Sequence, residues 1–313
     1  MKTAFLFPGQ SSQQPGMLST LPVDNPEVAP FIQAAEHILG RKISTIDTDA
    51  ALFSTVNVQL ALLISGVISA KRILAGGVHA DFVAGHSIGA FSAAVISGVI
   101  RFDQAIKLVD TRARLMEQAF PSGYGMAALL GFTQNRLLPY LEIHNKKHAA
   151  VYLSNINAKD QLVVSGELNS LTALIGELQK AGIQKTKILD VSVPSHCRLL
   201  SGISDVLKKQ LGEMELKAPL IPFASNTTGR LLKTAEAISA DLSASISSPV
   251  QWYDATTLIY EMGARIFVEM EPSGVLSKIA TATFPEAKVI SANEDQLSQL
   301  VDLWKIYQEA HVS

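Results

Sequence analysis

Short apolar runs alternate along the chain with longer stretches in which apolar residues recur every three or four positions. The runs at 3–7 (TAFLF), 81–85 (DFVAG), 265–270 (RIFVEM) and 287–292 (AKVISA) predict buried strands. The stretches at 28–39, 58–74, 88–100, 103–119, 198–211, 252–262 and 274–282 predict helices. A repeated strand-then-helix rhythm implies a parallel sheet covered by helices. The middle of the chain breaks that rhythm. Strands are predicted at 126–131 (MAALLG), 151–157 (VYLSNIN), 161–166 (QLVVSG) and 186–191, with helices at 134–144 and 168–181. That order, β-α-β-β-α-β, is the split βαβ module. The chain therefore reads as α/β, with a small antiparallel-sheet subdomain at 127–193 inserted into a large domain made of 1–126 and 194–313. The Ser/Ala-rich piece 239–248 reads as a loop or the start of a helix.

Composition narrows the class. With 313 residues, 48% of them apolar, the chain can bury a full core. Its 26 basic and 28 acidic side chains form no basic stripe, which argues against a nucleic-acid surface. The single cysteine, Cys197, excludes an internal disulfide and suits a reducing compartment. The opening MKTAFLFP is too short for a signal peptide and reads as a first strand. The apolar segment 58–70 has thirteen residues, against the roughly 20 needed to cross a bilayer. The segment 82–100 is interrupted by His86, three glycines and three serines. A soluble, cytoplasmic protein without membrane contact is expected.

The interruption in 82–100 is itself informative. In AGHSIGA, Ser87 stands between Gly85 and Gly89, the spacing of a sharp strand-to-helix turn that exposes a nucleophilic hydroxyl. A serine needs a base to take its proton. His86 is its chain neighbour, would point elsewhere, and reads as structural. His196, in DVSVPSHCR beyond a predicted strand and Pro194, is the better placed base. His37, His79, His144, His148 and His311 lie in polar or surface contexts. The acceptor that would steady His196 stays open between Asp190, Asp205 and a backbone carbonyl. The turn FPGQSSQ after the first strand offers the backbone amide of Gln10 as an oxyanion donor beside that of Ile88. Arg112 and Arg114, two apart on one helix, point in different directions, so one can face a cleft and grip a substrate carboxylate. Cys197 lacks any turn that would present it as a nucleophile. No HExxH, no paired cysteines, no carboxylate cluster of ligand spacing and no glycine-rich phosphate loop occurs, so neither a metal nor a nucleotide cofactor is expected.

FPGQSSQ, AGHSIGA, DTRARLMEQ, SNINAKDQLVVSG, VPSHC and SPVQW…FVEMEPSGVL stand in the order seen in the malonyl-CoA:acyl carrier protein transacylases, which the chain resembles over nearly its whole length. The resemblance implies an α/β-hydrolase-like large domain, a ferredoxin-like small one, and a site between them. It implies Ser87 as the acylated nucleophile and His196 as its base, steadied by a backbone carbonyl. It further implies Arg112 on the malonyl carboxylate, oxyanion amides from Gln10 and Ile88, and Asn155, Asn157 and Gln161 as site architecture. Malonyl-CoA would be the donor, with no bound cofactor, and a carrier-protein thiol the acceptor. Three positions depart from the family pattern: Ser11 replaces a glycine, Ala90 a glutamate, and Ser245 stands where a glutamine is usual. With PGMLSTLP, QAFPSGYGM and YEMGAR, these departures make the chain more similar to the transacylase (epsilon) subunit of bacterial malonate decarboxylase. Its partners would then be that enzyme's carrier subunit and its other subunits, rather than the carrier of fatty-acid synthesis. A serine ester hydrolase sharing the same turn is a further alternative.

Overall fold

The structure, a computed structural model, describes residues 1–19, 21–22, 25–292 and 297–309. His311 lies outside the described residues. Strand β1 (Lys2–Phe7) is buried on both faces from Thr3 onward, which is why it reads as an unbroken apolar run. It runs parallel to β2 (Phe82–Gly85) on one side and to β9 (Ala264–Glu269) on the other. Strand β10 (Lys288–Ser291) extends the sheet beyond β9, and β7 (Phe223–Ala224) extends it beyond β2, both in parallel. The two-residue strand β8 (Leu231–Leu232) closes that edge antiparallel to β7.

Helix α2 (Thr55–Ala75) packs against α3 (Gly89–Ile96) and α4 (Phe102–Ala119) and is buried along most of its length. This corrects the length reading of its apolar stretch. The helix has 21 residues and by length and composition is long enough to span a membrane, with 78% of its most apolar window packed inside the fold. Core packing therefore accounts for its hydrophobicity, and shortness does not. Helix α1 (Ala29–Leu39) begins one residue later than predicted. Helix α3 stops at Ile96 instead of continuing to residue 100, because Gly98 turns the chain at φ +81°.

The inserted sheet has the order β4 (Tyr152–Ala158), β5 (Gln161–Glu167), β3 (Tyr124–Leu130), β6 (Lys185–Ile188), all pairs antiparallel. Helices α5 (Gln134–His144) and α6 (Leu168–Lys180) cover one face around Leu137, Leu171 and Leu174. β6 ends at Ile188, three residues short of the predicted strand, and leaves Leu189 and Val191 free to line a cavity. Two backbone bonds stitch this sheet to the large body: Ile156 N donates to Val250 O at 2.9 Å, and Val250 N to Ser154 O at 2.8 Å. The remaining helices are α7 (Ser201–Gly212), α8 (Ala235–Ala244), α9 (Trp252–Glu261), α10 (Leu276–Thr283) and α11 (Leu297–Glu309). A 3-10 turn at Arg198–Leu200 precedes α7. Strands β7 and β8 and helix α11 have no counterpart in the sequence-based elements, and the piece 239–248, read as a loop or a helix start, is the second half of α8 and the 3-10 turn Ser245–Ser247 that follows it.

Candidate active site

Phe7 and Gly85 are paired neighbours at the carboxyl ends of β1 and β2. The turns leaving both strands therefore lie side by side at the edge where open parallel sheets form their crevices. The glycines around Ser87 have a direct steric reason. A Cβ on Gly85 would fall 2.2 Å from Gly89 O, and one on Gly89 would fall 2.2 Å from Phe7 O. The turn closes only if both positions lack side chains. Ser87 is thereby held at φ +55°, a left-handed conformation costing a non-glycine residue roughly 1–2 kcal/mol.

The turn is pinned by a residue that the sequence did not single out. Asn226, just beyond β7, accepts from Ser87 N–H with its Oδ1 at 3.0 Å and donates from Nδ2 to Gly85 O at 2.8 Å. Buried Asp241 on α8 holds the Asn226 loop in turn, accepting from Asn226 N and from Thr227 N at 3.0 Å each. The polar cluster SNTTG after an apolar pair was the available signal.

Ser87 and His196, 109 positions apart, meet at 2.7 Å between Oγ and Nε2. They are 7% and 2% exposed. The His196 Nδ1 lies 2.6 Å from Ser245 O. A carbonyl can only accept, so Nδ1 carries the ring proton and Nε2 presents its lone pair to the serine hydroxyl. Among the three acceptors left open by the sequence, the backbone carbonyl holds the ring. Asp205 is exposed on α7, and Asp190 lines a separate groove. His196 also sits at positive φ, +61°. Its pKa is pushed down to about 3, first by burial, then by the positive charge of Arg112, with the Ser245 carbonyl opposing. It is a neutral acceptor at physiological pH.

Arg112 is 0% exposed. It donates from Nη1 to Gln59 Oε1 and lies against the ring of Phe91, while its Nε and Nη2 are buried with no partner among the described residues. Burial lowers its pKa to about 10, so it remains cationic at neutral pH. Gln59, a fully buried amide within the apolar VQLALLISGVISA stretch, was legible in principle and was not identified. Arg114 points outward and pairs with Asp110 at 2.7 Å, as the two-residue spacing implied. Cys197 Sγ lies against Pro194 O, and burial raises its thiol pKa.

A cavity of about 180 Å³ opens in front of Ser87. Gln10, Ser87 and His196 line it from the large body, and Met126, Asn155 and Gln161 from the inserted sheet. Arg112 stands behind this wall rather than in it. Among the described residues, the backbone N–H groups of Gln10 and Ile88 have no hydrogen-bond partner. His86 points away from Ser87, as expected: its Nε2 is 3.0 Å from Asn157 Oδ1 and 3.5 Å from Asn155 Nδ2. It thus couples the turn to β4. A wider groove of about 590 Å³ shares Gln161, Val275 and Ile279 with the cavity and carries Lys159 and Lys278. The Ser11 substitution also acquires a physical meaning. Ser11 is left-handed at φ +78°, where glycine is the unstrained choice, and its N–H is held by Gln13 Oε1 at 2.7 Å.

The acyl transferase domain model matches residues 4–312. The malonyl CoA-acyl carrier protein transacylase of Bacillus subtilis (strain 168) is 32% identical over 304 residues, 96% of each chain. The enzyme of the same name from Staphylococcus aureus (strain MRSA252) is 31% identical over 294 residues, covering 93% of this chain and 95% of its own. Among solved structures, FabD from Acinetobacter baumannii superposes with a TM-score of 0.92 at 28% identity, covering 98% of this chain and 99% of that one. A malonyl-transacylase in complex with its type II PKS acyl-carrier protein superposes with a TM-score of 0.90 at 29% identity, covering 96% and 99%.

Proposed function

Because the chain belongs to the acyl transferase domain family, we propose that it moves a malonyl group from malonyl-CoA to the thiol of a carrier protein, by way of a malonyl ester on Ser87. The observation that carries this reading is the 2.7 Å contact between Ser87 Oγ and His196 Nε2, with the buried cation of Arg112 close enough to depress the histidine. A buried guanidinium with two unpartnered nitrogens is suited to a carboxylate, and malonyl carries one at the end opposite its thioester.

In the first half-reaction the Ser87 proton passes to His196 Nε2 as Oγ attacks the thioester carbon. The amides of Gln10 and Ile88 receive the developing oxyanion. The C–S bond breaks, the CoA sulfur takes the proton from Nε2, and malonyl-Ser87 remains. The carrier thiol then gives its proton to Nε2, its sulfur attacks the ester carbon, the C–O bond breaks, and Oγ recovers the proton. No bound cofactor enters either half. The lysine-bearing groove next to the cavity gives the phosphate end of a pantetheine arm a cationic exit path. We read the large body as α/β-hydrolase-like, on the Ser87 turn and parallel sheet, and 127–193 as a ferredoxin-like insert, on its element order.

For the acceptor, the names of the relatives favour the acyl carrier protein. The substitutions at Ser11, Ala90 and Ser245 favour a second reading, the carrier subunit of malonate decarboxylase and its assembly. The Ser245 change leaves the dyad intact, since His196 uses the carbonyl of that residue and not its side chain. Intact-mass measurement after exposure to malonyl-CoA tests the chemistry: a malonyl adduct is expected on the wild type and none on S87A. Adding each holo-carrier separately to the acylated enzyme and weighing the products decides the acceptor. A wild-type chain that never acylates refutes the proposal.

A further inference from the structure

The inserted sheet carries a cluster that the transfer chemistry does not use. His144, at the end of α5, is 0% exposed, and its Nδ1 lies 3.2 Å from Glu177 Oε2 on α6. Its Nε2 lies 2.9 Å from Ser170 Oγ, while Ser170 Oγ is 2.5 Å from Ala149 O. The protons can be placed from these contacts. A carbonyl only accepts, so the Ser170 hydroxyl proton is committed to Ala149 O. Ser170 Oγ must then accept from His144 Nε2–H. A neutral His144 is left presenting the lone pair of Nδ1 to a carboxylate oxygen, two acceptors facing each other across 3.2 Å.

Something positive belongs between them. His148 indicates what. One further helical turn, closed by His148 N donating to His144 O at 3.0 Å, stacks the two rings at 4.5 Å between centroids. His148 Nε2 is 3.9 Å from Glu177 Oε1, too long for a hydrogen bond. The 3.2 Å from His144 Nδ1 to Glu177 Oε2 approaches the roughly 3.3–3.5 Å between ligands that Zn–N and Zn–O bonds of about 2.0–2.2 Å give in a tetrahedron, and the 3.9 Å from His148 Nε2 runs to the other carboxylate oxygen, Oε1. All three donor atoms lie within 4.8 Å of one another. The Ser170 contact is the outer-shell bond that metal-ligating histidines characteristically make to fix the tautomer.

The geometry points to a divalent transition-metal site, of the zinc class, formed by His144 Nδ1, His148 and Glu177. Water fills the remaining position on the exposed side of His148 and Glu177. The ion would staple α5 to α6 on the face of the inserted sheet and take no part in acyl transfer. The sequence shows only half of it: His144 and His148 have an H-x3-H spacing, but Glu177 is 29 positions beyond His148.

Titrating tag-free protein with Co²⁺ tests this. One equivalent should bind with the visible absorption of tetrahedral cobalt, Zn²⁺ should displace it, and Zn²⁺ should raise the melting temperature. Ser170→Ala should weaken binding by about 10–100-fold, the usual effect of removing an outer-shell partner. H148A and E177A, at half-exposed positions, should fold and lose the cobalt spectrum. Absence of stoichiometric binding overturns the proposal, as does binding that survives H148A and E177A equally. So does ¹⁵N NMR showing His144 protonated on both ring nitrogens in the presence of Zn²⁺.

Discussion

Asn226→Ala tests whether the Ser87 turn is held open or merely closed over by its neighbours. The side chain satisfies two buried backbone groups at once, Ser87 N–H at 3.0 Å and Gly85 C=O at 2.8 Å. Leaving a buried donor and a buried acceptor unpaired costs about 1–3 kcal/mol each, so the variant should lose about 2–6 kcal/mol of stability. A second effect falls on activity alone. Ser87 occupies a left-handed backbone conformation, and its N–H bond to Asn226 is part of what holds it there. Release of roughly 1–2 kcal/mol of strain should depopulate the attacking geometry about 5–30-fold. The assay pairs urea denaturation with the rate of malonyl adduct formation, followed by quenched mass spectrometry where both proteins remain folded. Asn226→Asp sharpens the test. When ionised it keeps an acceptor for Ser87 but turns a second oxygen on Gly85 O; when protonated it can donate again. Its adduct rate relative to wild type should therefore recover as pH falls. An Asn226→Ala protein with the wild-type midpoint and adduct rate would refute the reasoning, and the glycine packing alone would then set the turn.

Arg112→Ala should remove about 2–5 kcal/mol of transition-state stabilisation with malonyl-CoA, the scale for losing a buried charged partner, and change acetyl-CoA transfer little. Equal losses with both donors would make Arg112 a packing residue. The depressed His196 pKa predicts an acid-labile fold: the unfolded chain takes up a proton near pH 6.5 that the native chain refuses until about 3, so stability should fall through that window as pH drops. Burial depresses His86 as well and acts in the same direction. Urea midpoints that do not fall between about pH 8 and pH 5 would contradict this. Charge reversal of Lys159 and Lys278 together should raise KM for malonyl-CoA severalfold at low salt with kcat unchanged, and an unaltered KM would remove the groove from the donor's path.

The elements that the sequence disclosed are those with long repeats or firm punctuation. Strand β1 shows as TAFLF because both its faces are covered, and α5 was bounded correctly at both ends. Ser87 was visible because two glycines are a steric necessity that leaves a spelling. The missed parts have no such spelling. Strand β7 is two residues long, too short for any period, although it carries the loop that pins the nucleophile. Asn226 and Gln59 act through hydrogen bonds to groups far away in sequence. The choice between Asp190, Asp205 and a carbonyl for His196 needed the fold itself, since Ser245 approaches from 49 positions away. The apolar stretch in α2 shows the opposite error: its hydrophobicity was read by length, where the packing partners are what matter.

The carbonyl behind His196 bears on the strength of the base that every acceptor of the acylated enzyme meets. A carboxylate there would strengthen the imidazole as a proton acceptor; a neutral oxygen, with a guanidinium nearby, keeps it feeble. A thiol ionises near pH 8.5, and water is a far weaker acid. In the proposed reaction that same imidazole also takes the proton of the Ser87 hydroxyl, an acid about as weak as water, so the preference of the ester for a carrier thiol would come from the readier ionisation of sulfur, with the base serving every acceptor alike.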